Sequence, residues 1–149
     1  MALDFLPLKS YLLCLLIVMA SVTKKSIESQ RAPKAIGPYS QAVRVGNFLF
    51  VSGQVALNPK DSSIVGQDVE SQIMQIFENV KNLLEDAGTS LENVVKTTLY
   101  LKDMGDFAKA NEAYSRYFKA PYPARATVQV ARLPKDALVE IEAIAVYPS

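Results

Sequence analysis

Asp68 to Ala87 is the stretch that most restricts what this chain can become. Val69, Ile73, Ile76, Phe77, Val80, Leu84 and Ala87 recur at three- and four-residue steps, while Glu70, Gln75, Lys81 and Glu85 fall elsewhere around the cylinder. Asp68 is placed to act as N-cap and Gly88 as the left-handed C′ residue. A helix with one apolar stripe needs a flat apolar surface to rest on, and the flanking sequence is rich in strand signals. Ala42–Val45 and Phe48–Ser52 flank Gly46-Asn47, a two-residue hairpin signal. Phe48-Leu49-Phe50-Val51 is apolar on both faces, as expected of a strand covered on each side. Val94 to Leu101 is a further strand, with Val95, Thr97, Leu99 and Leu101 sharing a side.

A second helix is capped by Asp103 or Asp106 and stops before Pro121, with Phe107, Ala110, Tyr114, Tyr117 and Phe118 as a core stripe. The spacing predicts an α+β chain in which two helices cover one face of a mixed sheet. Nothing remains in the chain to cover the other face. A sheet face of that kind ordinarily packs against another copy of itself, so a homo-oligomer is expected, with any pocket at the joint between subunits.

Composition narrows the chemistry. The chain has 149 residues, 21% of them charged, and a net charge of +1 without a basic block. One domain is expected, and neither nucleic acid nor an anionic membrane is an expected partner. There is no histidine, and the one cysteine, Cys14, lies near the N-terminus. An intrachain disulfide framework, an ordinary zinc site and the Ser-His or Cys-His nucleophile pairs are therefore excluded. What remains is carboxylate, arginine, hydroxyl, backbone and water.

Residues 1–20 differ from all that follows. Tyr11 to Ala20 carries no charge but is too short to span a bilayer. Lys9 before it and Val18-Met19-Ala20 after it suit a secretory signal, whereas Asp4 and Pro7 do not. Met19 offers an alternative start, and an organelle presequence is a third reading; all three stay open. Residues 21–31 read as a polar, loose lead-in, and residues 32–149 as the folded domain.

Tyr122 to Val146 carries the densest chemistry. It reads as two strands, Ala126–Ala131 and Leu138–Val146, joined by Leu133-Pro134-Lys135-Asp136. Folded as a hairpin, they pair Gln129 with Glu140 and Thr127 with Glu142, and place Arg125 on the same face as both glutamates. Such a face is ordinarily a solvated surface with a weak cross-strand pair. The sharper alternative is an anion pocket: Arg125, braced by Pro123, takes a carboxylate bidentately while a glutamate holds a water. The sequence around Gly53-Gln54 suggests a bulge or a close approach by another group.

Several motifs stand together in order: Ile36-Gly37-Pro38-Tyr39-Ser40-Gln41, Val51-Ser52-Gly53-Gln54, NVVKTT from Asn93, Pro123-Ala124-Arg125, and Arg132-Leu133-Pro134-Lys135-Asp136 followed by EIEAIA from Glu140. From Ala32 to Tyr147 the chain resembles the Rid family of reactive intermediate deaminases. The resemblance implies a chorismate-mutase-like fold and a homotrimer with a site in each intersubunit cleft. It also implies cofactor-free, metal-free hydrolysis of 2-imino acids, and their enamine tautomers, to 2-keto acids and ammonia. By position, Arg125 resembles the clamp on the substrate carboxylate and Glu140 the residue that orients the attacking water. Tyr39, Ser52, Gly53 and Asn111 match cleft-lining residues, and the Thr127 backbone a donor to the carboxylate. Many relatives have cysteine where Thr127 stands, which argues against thiol-based regulation here and leaves the backbone contact in place. Plainer roles stand beside these: Ser52 and Gly53 as shapers of a bulge, Tyr39 as core, Glu142 as structural. The family implies a cytoplasmic or mitochondrial location, against secretion if residues 1–20 act as a signal. Two other functions are carried forward: an inhibitor of translation that cleaves RNA, and a binding protein for imino or keto acids without turnover.

Overall fold

The computed structural model describes residues 23–148, so every expectation for residues 1–20 lies outside it. The elements run β1 (Lys24–Ile27), β2 (Ala42–Val45), β3 (Phe48–Gln54), α1 (Val69–Ala87), β4 (Val94–Leu101), α2 (Phe107–Ser115), β5 (Ala124–Gln129) and β6 (Val139–Val146). The strands form one sheet in the order β1-β2-β3-β6-β4-β5. All neighbours are antiparallel except β4 and β5, which α2 joins as a parallel crossover.

Both helices lie on one face, as the pattern predicts. Ile73, Ile76, Phe77, Val80 and Leu84 of α1 are buried with Leu49, Val51, Leu99, Leu101, Val139 and Ile141 of the sheet. Asp68 accepts the Ser71 N–H at 2.8 Å, and Gly88 adopts φ 87° beyond the last turn. Phe77 is the hub of an aromatic cluster, stacked on Tyr117 at 4.6 Å and edge-on to Tyr114 and Phe118. The helix α2 is shorter than the sequence suggests: it ends at Ser115, and Tyr117 and Phe118 pack from the following turn. Asp103, rather than Asp106, supplies the side-chain cap, accepting the Gly105 N–H in the 3₁₀ turn ahead of α2.

The other face is bare within the protomer. Phe48 and Phe50 are 50% and 45% exposed there, and Val128 is 43% exposed. The segment Phe48–Val51 is thus covered on one side only in this chain. Val95 is also exposed, because an irregularity between Val94 and Lys96 turns Val94 inward in its place. Lys24–Ile27 is an edge strand rather than part of a loose lead-in. Backbone pairing needs no apolar side chains, and Arg31 ties the following residues to α1 through Asp86 at 2.6 Å and Glu85 at 3.1 Å.

One expectation fails outright. The last two strands do not form a hairpin, because β4 lies between them. Residues 130–138 are long enough to step across the end of one strand, a distance of about 10 Å. A central place between β3 and β4 lets Val139, Ile141, Ala143 and Ala145 bury one whole side of β6. Tyr100 and Thr98, not Gln129 and Thr127, stand opposite Glu140 and Glu142.

Gly88→Val forces a β-branched residue into the left-handed region, at a cost of about 1–2 kcal/mol. The expected result is a lower urea midpoint with an unchanged slope.

Candidate functional site

Strand register sorts the candidate residues into two groups. Arg125 lies beside Thr97, which lies beside Ala143, on the helix-covered side. Glu140 lies beside Tyr100, which lies beside Val128, on the bare side. Arg125 and the two glutamates therefore leave the sheet in opposite directions, contrary to the hairpin expectation. The cause is the intervening β4, whose register decouples β5 from β6.

Arg125 occupies a groove with Asn111, Tyr114, Ser115, Tyr122 and Pro123. Its guanidinium carbon sits 4.7 Å from the centre of the Tyr114 ring and 5.9 Å from that of Phe107. Its Nη2 donates to Asn111 Oδ1 at 2.8 Å. Tyr114 is itself fixed by a 2.9 Å hydrogen bond with Thr97 Oγ1, and burial pushes its phenol up from the ordinary range. No carboxylate pairs with Arg125 among the described residues. Its remaining donors are free to meet an anion, and the planar fork suits a carboxylate. Thr127 lies two residues on, on the same side of β5. That strand is the sheet edge, so part of its backbone lacks a ladder partner.

Glu140 faces a separate cleft of about 330 Å³, which Tyr39, Gly53, Gln54, Lys34 and Lys135 help to line. Between Val51 and Gln54 the β3–β6 register slips, and the Glu140 carboxylate lies over that irregularity. A Cβ at Gly53 would overlap Glu140 Oε1, so both sequence-level readings of this glycine, bulge and close approach, hold together. Ser52 braces the same bend, donating through Oγ to the Ser40 carbonyl at 2.7 Å. Tyr39 is half exposed rather than core, and its hydroxyl accepts the Ile36 N–H at 3.2 Å. Burial raises the Glu140 carboxyl above the ordinary glutamate range, and the nearby Glu142 carboxylate raises it further.

The sequence reading missed Tyr100, whose alternation with Thr98 on β4 was the available signal. It also read Tyr114 as core alone; the ring is buried, yet its face carries Arg125. Phe107, expected in the core, is exposed beside that arginine. Among the described residues no group of three or more His, Cys, Asp or Glu is gathered to hold a metal.

Residues 29–147 match the family described as Endoribonuclease L-PSP. The chain belongs to that family. Its members also include Rid and RutC proteins. The chain is 55% identical to a RutC family protein of Pyrococcus abyssi over 83% of its length and 98% of that protein. It is 48% identical to the mouse 2-iminobutanoate/2-iminopropanoate deaminase over 86% of its length and 95% of that protein. Among solved family structures, yeast Mmf1 superposes with a TM-score of 0.81 at 40% identity, covering 85% of this chain and all of that one. E. coli TdcF with bound serine gives 0.79 at 48% identity, covering 83% and 99%. The family fold is thus the mixed sheet with helices on one face described above.

The Glu140 environment has a stability signature. A carboxyl held above its ordinary value costs nothing while protonated, and destabilises the fold as pH rises from the ordinary glutamate range through the raised folded value. Glu140→Gln should therefore melt slightly above wild type at pH 7, with the gain vanishing near about pH 3. Melting curves at the two pH values measure it, and a lower melting temperature at pH 7 contradicts the burial account.

Proposed function

We propose that this chain is a cofactor-free deaminase that hydrolyses 2-imino acids, and their enamine tautomers, to 2-keto acids and ammonia. The observation that carries the reading is Arg125: a guanidinium braced by Tyr114 and Asn111 in a groove, with no acidic partner among the described residues. A substrate carboxylate completes it with two parallel, charge-assisted hydrogen bonds. The name of the mouse relative and the serine bound to the E. coli relative favour a small α-substituted acid as ligand.

The imine carbon is already electrophilic, so the protein's task is placement. Arg125 orients the acid, the edge backbone at Thr127 adds a donor, and Glu140 holds a water against the carbon. Tyr39, Ser52 and Gly53 shape the wall around that water. Because Arg125 and Glu140 lie on opposite sides of one sheet, the site is read as shared: Arg125 of one protomer meets Glu140 of its neighbour in a homotrimer. The exposed Phe48, Phe50 and Val128 supply the apolar surface that such an assembly buries. A ribonuclease reading has less support, since a net charge of +1 offers little purchase on a phosphate chain.

Arg125→Ala should lose on the order of 10²-fold or more in kcat/KM for ammonia release from freshly generated 2-iminopropanoate, with its assembly state unchanged by light scattering. Arg125→Lys should lose most activity too, because a point charge does not reproduce the fork. Full activity in Arg125→Ala ends the assignment.

A shared site makes a further demand. Arg125→Ala and Glu140→Gln should each lose most activity alone. Unfolded together and refolded as mixed trimers, they should recover about one quarter of the wild-type sites, since a site needs one intact half from each variant. Absence of recovery in verified mixed assemblies rules out sharing.

A further inference from the structure

Glu140 is not alone on its face. Glu142 follows two residues later, so both carboxylates leave β6 in the same direction. Tyr100 stands directly across from Glu140 on β4, with its phenol raised by burial and by the Glu142 carboxylate beside it. Gly53 closes a third side, leaving Glu140 Oε1 where a side chain would otherwise begin. Glu140 itself has neither a hydrogen bond nor an ion pair among the described residues. Within the protomer the ionisable groups around it are Glu142 on its own strand, Tyr100 on β4, Lys34 and Tyr39 before β2, and Lys135 before β6, with Lys96 of β4 beside Glu142. In the shared site the neighbour's Arg125 is charge-paired with the substrate carboxylate. Lys135 is committed elsewhere, its Nζ donating to the Ser62 carbonyl at 2.6 Å. A half-buried carboxyl that has a second carboxylate for company and no cation bonded to it favours keeping a proton.

We propose that Glu142 and Tyr100 are positioning residues for the deaminase reaction: together they keep one proton on Glu140, which then serves as acid and as base in turn. The proposal rests on the deaminase reading above. Tyr100 holds the Glu142 carboxylate in place, and Glu142 sets the charge that Glu140 feels.

The proton accounting closes. The Glu140 carboxyl gives its proton to the imine nitrogen, making an iminium and a carboxylate. Water then bonds to C2 while passing one proton to that carboxylate, which gives the neutral carbinolamine and the acid form again. That proton moves to the amino nitrogen, and the C–N bond breaks with its electron pair leaving on ammonia. The hydroxyl proton returns to Glu140 as the carbonyl forms. One water is consumed, one ammonia leaves, and the carboxyl ends protonated as it began. No oxidant, reductant or metal enters the balance.

The test is Glu142→Gln in the full-length assembled protein. Removing the like charge lets Glu140 ionise at lower pH, so the alkaline limb of kcat moves down by about half to one pH unit. KM changes little, because the substrate carboxylate is held by Arg125. Glu142→Asp keeps the charge and should keep the limb, which separates electrostatics from packing. Tyr100→Phe releases the Glu142 carboxylate and should move the limb in the same direction by less. Carbon-13 NMR titration of the Glu140 carboxyl, in wild type and Glu142→Gln, reads the same shift without turnover. An unshifted midpoint overturns this proposal and leaves the deaminase reading standing. Wild-type protein that releases no ammonia overturns the deaminase reading, and this proposal with it.

Discussion

The period-two alternation of β6, buried between β3 and β4, is the constraint on which everything else depends. Val139, Ile141, Ala143 and Ala145 bury one side of the strand completely or nearly so against α1 and its neighbours. Their partners in alternation, Glu140 and Glu142, are thereby committed to the opposite side. A one-residue slip would send two carboxylates into the core and four apolar side chains out of it. Desolvation makes that exchange prohibitive, so the same burial that stabilises the sheet aims the glutamates. Position in the core and position in the cleft are one decision.

The arginine side is built by different means. β5 is an edge strand, and its outward residues extend to the margin of the helical layer, where Thr127 and Arg125 are only half buried. Edge location gives Arg125 access, while the Tyr114 face and the Asn111 amide hold it still. Tyr114 belongs to the Phe77 cluster, so the arginine is coupled through one ring to the middle of the core. A side chain with this many rotatable bonds loses much of its freedom on capture; here the loss is largely met before any ligand arrives.

How much of this was legible follows from the range of each interaction. The helix 69–87 and its caps are local, and Asp68, Gly88 and the apolar stripe announced them. The hairpin of β2 and β3 is local too, and Gly46-Asn47 marked it. The bare sheet face was also readable, because it follows from counting helices against strands. Strand order is not local. Nothing in residues 122–146 says that β4 inserts between the last two strands, since that choice depends on residues far upstream. The consequence was an error of side: Arg125 and Glu140 were expected on one face and lie on two. The motif resemblance singled out both residues and implied a cleft between subunits, a placement the one-face hairpin reading did not require. Tyr100 escaped notice because its significance exists only in register with Glu140.

The strand of this sheet that comes last along the chain, β6, occupies its middle. While β6 remains within the ribosome, β3 and β4 have no ladder joining them, and the nascent chain holds two separate pieces of sheet around an amphipathic helix. Closure awaits β6, whose pairings reach back nearly a hundred positions to Phe48. Such long-range pairing is slow and leaves strand edges open meanwhile. Loss of β6 would therefore unzip the domain at its centre, rather than trim its rim.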